Sequence, residues 1–282
     1  MARAIDMHVH VPPQGEAARH PLRVATQAYF RAPPLPEGVE AMAQYYAERD
    51  IVGVLLAEDW EAKTGLPPVS NDFIADIVRR YPGQFIGFCC VDPWKGKKAI
   101  DEVRRSVEDL GLRGVKFHPS LQEFFPDDHR FYPLWETIAR LGVPALFHSG
   151  MTGFGAGSPG GGGIKTKYCA PIPHIDDLAA DFPELTIIMA HPAFPWVDEQ
   201  IAVLLHKPNV FMDLSGYSPK YFPPQLVQYA NTLLQDKVMF GSDYPMIMPE
   251  RWLSDFEAAP FREEVRPKIL RDNAVRVLRL NA

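Results

Sequence analysis

The first residues that could do chemistry are Asp6, His8 and His10, in the stretch DMHVH. Residues two apart on a strand share a face and lie roughly 7 Å apart. That spacing points His8 and His10 together, with Asp6 beneath them, and lets two imidazoles converge on one metal ion. Histidine is the commonest nitrogen ligand for zinc. Other apolar runs end in similar groups: RGVKFHP carries Lys116 and His118, VPALFHS carries His148, LTIIMAH ends at His191 and KVMFGSD ends at Asp243. Packing requires none of these side chains, and burying them unpartnered would cost several kcal/mol each. One shared polar site accounts for all of them. The plain alternatives are a hydrogen-bonded core histidine at His148 and His191, and a helix cap at Asp243. Zinc in such a site lowers the pKa of bound water to about 7, and a nearby histidine or carboxylate can take and return the proton.

The elements that would position these groups are visible as runs. AIDMHVH (4–10), IVGVLLA (51–57), QFIGFCCVD (84–92), RGVKFHP (113–119), VPALFHS (143–149), LTIIMAH (185–191), NVFMDLS (209–215) and KVMFGSD (237–243) read as strands, most of them apolar on both faces. Amphipathic patterns separate them, over 37–50, 71–82 (capped by Ser70), 97–111, 131–141, 174–182, 197–206 and 224–235, with a last helix in 261–280. Strands alternating with helices in this number predict one (β/α)8 TIM barrel spanning 1–282; a doubly wound open sheet is the rival. Two connections are too long for turns: the proline-rich 11–36 and the glycine-rich 150–172. In a barrel both emerge at the C-terminal face, where substrate binds, and the second reads as a mobile lid. GAGSPG (155–160) fits a dinucleotide-binding pattern by chance, because no helix opens behind it. Trp60, Tyr217, Lys220 and Tyr244 follow strand ends and are placed either to line a pocket or to pack.

Composition narrows the function classes. The 282 residues carry a net charge of -6, which argues against a nucleic-acid binder or an electrostatic membrane anchor. No apolar run is long enough to span a bilayer, and the N-terminal run is interrupted by charges. Cys89, Cys90 and Cys169 form no metal-binding or disulfide pattern and read as reduced core residues of a cytoplasmic protein. The expected partner is a small-molecule substrate, with no nucleic acid and no membrane; a homo-oligomer, dimer or tetramer, is left open.

The motifs IDMHVH, GVKFHP, PALFHSG, FPELTIIMAHP, NVFMDLSG and FGSDYP, in this order over nearly the whole chain, resemble the amidohydrolase superfamily. They are most similar to its branch of small hydrolases and non-oxidative decarboxylases, the aminocarboxymuconate-semialdehyde decarboxylase-like group. The resemblance implies a distorted barrel and one divalent metal, usually zinc. It implies His8, His10, His148 and Asp243 as ligands, with Asp243 also near the reacting atoms and His191 as the acid/base residue. Some members of the superfamily bridge two ions with a carboxylated lysine. By that resemblance Lys116 could hold a second ion with His191 as a ligand, or contact substrate instead. His118 is placed to touch substrate or to support a ligand.

Two chemistries share this scaffold. One is hydrolysis at a carbonyl: a lactone, an ester or thioester, or the C–C bond of a β-keto substrate such as an aryl β-ketoacyl-CoA. The other is decarboxylation of an aromatic or unsaturated acid. Several decarboxylases of the branch carry E-x-H where this chain carries H-x-H, and this favours a metal-dependent hydrolase in aromatic or carboxylic acid catabolism. Decarboxylation is the runner-up. A catalytically inactive binding barrel is the third reading, opposed by the complete set of strand-end ligands.

Overall fold

A computed structural model describes residues 2–12, 15–31, 38–65 and 67–280. Residues 13, 14 and 32–36 of the expected connection 11–36, together with Glu37, lie outside the described residues, as do the two ends of the chain.

Eight parallel strands pair in chain order. They are β1 Ala4–His10, β2 Ile51–Leu56, β3 Phe85–Cys90, β4 Val115–Phe117, β5 Ala145–His148, β6 Ile187–Ala190, β7 Val210–Asp213 and β8 Val238–Met239. Beyond the short β8, Phe240 to Tyr244 return to β1: Met7 N–H donates to Phe240 O (2.9 Å), Asp243 N–H to His8 O (3.1 Å) and His10 N–H to Tyr244 O (2.9 Å). These bonds nearly close the sheet into the expected TIM barrel. Inward residues of most strands, among them Met7, Leu56, Phe88, Leu146, Ile188 and Met239, form one buried cluster that Ala274 and Leu278 plug. The outer faces pack with the helices into a second, larger cluster around Tyr46, Trp135 and Trp252.

Helices follow the strands much as the periodicity predicts: Gly38–Ala47, Asn71–Arg80, Lys97–Glu108, Tyr132–Leu141, His174–Asp181, Val197–His206 and Pro224–Ala230. Ser70 takes the cap position of its helix but its hydroxyl makes no capping bond. Among the described residues, no helix is long and apolar enough to cross a membrane.

Four features depart from the sequence expectation. The expected last helix over 261–280 is short and irregular, a π turn Lys268–Asp272 running into Asn273–Val277. Its Ile269 carbonyl accepts from Phe240 N–H (2.7 Å), so the sheet takes an acceptor that the helix would otherwise use. A helix absent from the reading, Pro249–Ala258, follows β8. The connection 11–36 contains a helix, Pro21–Phe30, which sits on the glycine-rich segment. A Cβ at Gly153, Gly157 or Gly162 would come within 3.0, 2.6 and 2.4 Å of Phe30, Tyr29 and Leu22, so these glycines admit close packing.

The fourth departure is in β1. Asp6 pairs with Gly53 and Val9 with Leu55, so β1 spends one residue more than β2 between these pairs. Such a bulge reverses the in–out alternation. Asp6 therefore does not lie beneath His8 on the barrel's inner face. Its carboxylate accepts instead from Tyr46 Oη on the outer helix (2.9 Å), from Ser242 N–H (2.8 Å) and Oγ–H (2.5 Å), and from His8 N–H (3.2 Å).

Candidate metal and substrate site

The bulge leaves both His8 and His10 facing the cavity at the C-terminal ends of the strands. His8 Nδ1 lies 3.2 Å from Asp213 Oδ2 at the end of β7, and its Nε2 lies 3.6 Å from Asp243 Oδ1. His10 Nε2 is 3.3 Å from the same Asp243 oxygen. His8, His10 and Asp243 thus offer three ligand atoms within 4.8 Å of one another, and His8, His191 and Asp213 form a second such group. His148 belongs to neither group among the described residues, but it lines the same cavity.

The loop after β6 carries His191, whose Nε2 is 3.1 Å from His148 Nδ1 and whose Nδ1 is 2.7 Å from Ser215 Oγ. His118 stacks on His148 with centroids 4.0 Å apart, and its Nε2 meets Thr152 Oγ1 at 3.3 Å. Lys116, buried in the middle of β4, places Nζ 3.5 Å from His8 Nε2. His191 and Asp243 both have left-handed backbones, with φ of 70° and 67°. Non-glycine residues rarely hold that conformation, and it clusters at functional sites. The helix after Asp243 starts at Pro249, so Asp243 does not cap it.

Electrostatics separate the two histidines of β1. Burial, reinforced by Lys116, pushes His8 down to about 3. Burial also disfavours charge on His10, but Asp243 and Glu58 outweigh it and hold His10 up at about 9. Burial alone would raise Asp243; the hydrogen bond to His10 and the surrounding histidines keep it well below the usual carboxylate range. Lys116 is lowered to about 8, chiefly by burial. His118 and His148 are pushed well below the ordinary imidazole value, first by burial and then by neighbouring groups that include Lys116 and His191.

The cavity holds about 370 Å³, a size for a small molecule. Its walls come from both long connections: Arg23 and Phe30 from the first, Met151 and Phe154 from the second. Trp60 and Tyr217 line it as placed; Lys220 lies instead against the Tyr221 ring, and Tyr244 is fully buried beside Tyr45 and Tyr46. Sequence reasoning missed Glu58, which meets His10 Nδ1 at 3.1 Å and pairs with Arg23. Arg23 lies 5.4 and 5.5 Å from the Trp60 and Phe154 ring centroids. It also missed Asp213 and Ser215. Glu58 follows its strand run directly, and Asp213 closes its strand within the run 209–215; an acid at a strand end, as at Asp243, was the available signal.

Comparison with known proteins bears on the family and the fold. A family model described as Amidohydrolase matches residues 5–280. The chain is 25% identical over 240 residues to 2-amino-3-carboxymuconate-6-semialdehyde decarboxylase of Dictyostelium discoideum, covering 75% of this chain and 66% of that protein. It is 24% identical over 249 residues to gamma-resorcylate decarboxylase of a Polaromonas species, covering 75% and 76%. Among solved structures, an uncharacterized TIM-barrel protein of Bordetella bronchiseptica superposes with a TM-score of 0.81 at 28% identity, over 98% of each chain. A Polaromonas dihydroxybenzoic acid decarboxylase with bound manganese shares the fold, with a TM-score of 0.68 at 19% identity over 100% and 98%.

Proposed function

Given that the chain belongs to the amidohydrolase family, we propose that it is a metal-dependent decarboxylase of an aromatic or unsaturated carboxylic acid. The observation that carries this reading is the cluster His8, His10 and Asp243, within 4.8 Å, at the floor of an aromatic-walled cavity. The donor set of imidazoles and one carboxylate suits a divalent transition metal. We assign His8, His10, His148 and Asp243 as the residues that hold one ion. The fit has an independent sign: His148 Nε2 is buried without a hydrogen-bond partner among the described residues, although buried polar atoms are normally satisfied. Zinc was the expected metal; the manganese of the Polaromonas neighbour makes that choice a matter for measurement.

When bound, the ion supplies positive charge that fixes and polarises an oxygen of the substrate. The protein's own residues do the rest. Trp60, Phe154 and Tyr217 offer flat apolar walls to an unsaturated ring. The C–C bond to the carboxylate breaks, its electron pair stays on the ring carbon, and that carbon takes a proton as carbon dioxide leaves. We assign the transfer to His191, whose Nε2 takes a proton from solvent and passes it to that carbon; its ring lines the cavity and also touches His148. The preference for hydrolysis from H-x-H gives way here. That pair selects a metal and not the acceptor of the reaction, and the relatives over three-quarters of the chain are named decarboxylases.

The test is product analysis of the metal-loaded protein with hydroxybenzoates, beginning with γ-resorcylate, beside lactones and aryl β-keto thioesters. Carbon dioxide release from an aromatic acid is expected. Turnover of a lactone or thioester with no carbon dioxide from any acid would overturn the reading.

A further inference from the structure

We propose that Asp213 and Ser215 form a buried relay that fixes the tautomers of His191 and, through it, of His148, so that His148 keeps its lone pair on Nε2 for a metal. The last part rests on His148 being a ligand; the tautomers do not. Ser215 Oγ makes a short hydrogen bond to Asp213 Oδ1 and lies 2.7 Å from His191 Nδ1. A hydroxyl has one proton. Against a carboxylate that carries its charge, that proton goes to Asp213. Ser215 Oγ must then accept, and His191 Nδ1 must carry the hydrogen.

The consequence propagates. A neutral His191 protonated at Nδ1 has only a lone pair at Nε2. That atom faces His148 Nδ1 at 3.1 Å, so His148 Nδ1 donates. A neutral His148 protonated at Nδ1 leaves its lone pair on Nε2, the atom that has no partner among the described residues. Asp213 also accepts from His8 Nδ1 at 3.2 Å through its other oxygen, so one carboxylate orients histidines of three strands.

The enclosure is built to hold this arrangement. A Cβ on Gly216 would stand 2.7 Å from His191 Nδ1, and one on Gly241 would stand 2.9 Å from Ser215 Cβ and 3.1 Å from Asp213 Oδ1. Bare backbone therefore closes on the relay from two sides. Asp213 Oδ1 is fixed in turn by Ser215 N–H at 3.0 Å. Ser215 does not itself line the cavity and acts through His191; it is a positioning residue.

The test reads the tautomers directly, by long-range 1H–15N correlation of the imidazole nitrogens in metal-free protein at neutral pH, assigned with His191→Gln and His148→Gln. Nδ1–H forms are expected for both rings in the wild type. An Nε2–H form of His191 there would overturn the relay, whatever the fate of any variant. In Ser215→Ala, His191 Nδ1 loses its acceptor, so the Nε2–H form should appear. Metal affinity, measured by competition with a chromophoric chelator, should fall roughly 10–100-fold. Unchanged tautomers in Ser215→Ala would also defeat the proposal. Failure of the wild type to bind zinc or manganese would instead defeat the metal assignment and leave the tautomer result standing.

Discussion

His10 holds its Nδ1 3.1 Å from Glu58 Oε1, so the imidazole lies between that carboxylate and Asp243 on its other side. The two acids hold His10 protonated up to about 9 in the metal-free site. A histidine must be neutral to ligate a metal. Metal binding at pH 7.5 is therefore expected to release about one proton from His10, and apparent affinity should rise close to tenfold per pH unit up to about pH 9. The sign for the metal-free fold is opposite. The folded pKa is raised above the model value of 6.5, so the charged pair's stabilisation is complete below about 6.5 and is lost as pH rises through about 9. Calorimetry in buffers of different ionisation enthalpy checks the first statement; metal uptake without proton release contradicts it. Glu58→Gln should reduce the number of protons released.

Replacing both His8 and His10 by alanine removes two of three clustered donors. The double variant should lose its metal while keeping its circular dichroism spectrum. Full occupancy in it would contradict the ligand assignment.

His191→Ala should keep one ion per chain and lose about 10²–10⁴-fold in turnover, the usual worth of a proton-transfer residue. His191 also belongs to the group with His8 and Asp213. If Lys116 is carboxylated and a second ion sits there, the same variant should lose about one ion. Metal stoichiometry by mass spectrometry separates the two cases, and full activity rejects both.

Asp6 accepts four hydrogen bonds on the outer side of the barrel. Asp6→Ala strands the Tyr46 and Ser242 donors in a buried setting, at a cost on the order of 3 kcal/mol. Urea unfolding should show the loss. A change under 1 kcal/mol would mean that the bulge does not depend on this carboxylate.

The helix Pro21–Phe30 and the segment 150–163 interlock, with Thr26 Oγ1 also 3.2 Å from Gly153 O. They should open together over the cavity and exchange amide hydrogen faster than the strands. Gly157→Ala, at φ 77° and facing Tyr29, should raise exchange in both segments. A rise confined to 150–163 would contradict a shared flap.

The strands and most helices were legible because their signals are local. Apolar runs of strand length and stripes of helical period depend on near neighbours in the chain. The strand-end groups His8, His10, Lys116, His118, His148, His191 and Asp243 were legible as one polar site for a related reason, since a titratable residue ending a buried strand is costly without a shared site; the choice of ligands among them came from the family resemblance alone. The fate of Asp6 was not legible. Its side is set by one extra residue in the pairing of β1 with β2, and register is a relation between strands. Glu58 reaches His10 only because β2 lies beside β1, and the final helix loosens where Ile269 lends its carbonyl to the sheet. The roles of Asp213 and Ser215 belong wholly to the tertiary structure. Asp213 meets His8 across 205 residues of chain, and which nitrogen of a histidine keeps its proton is decided by the partner that such closure brings to the other.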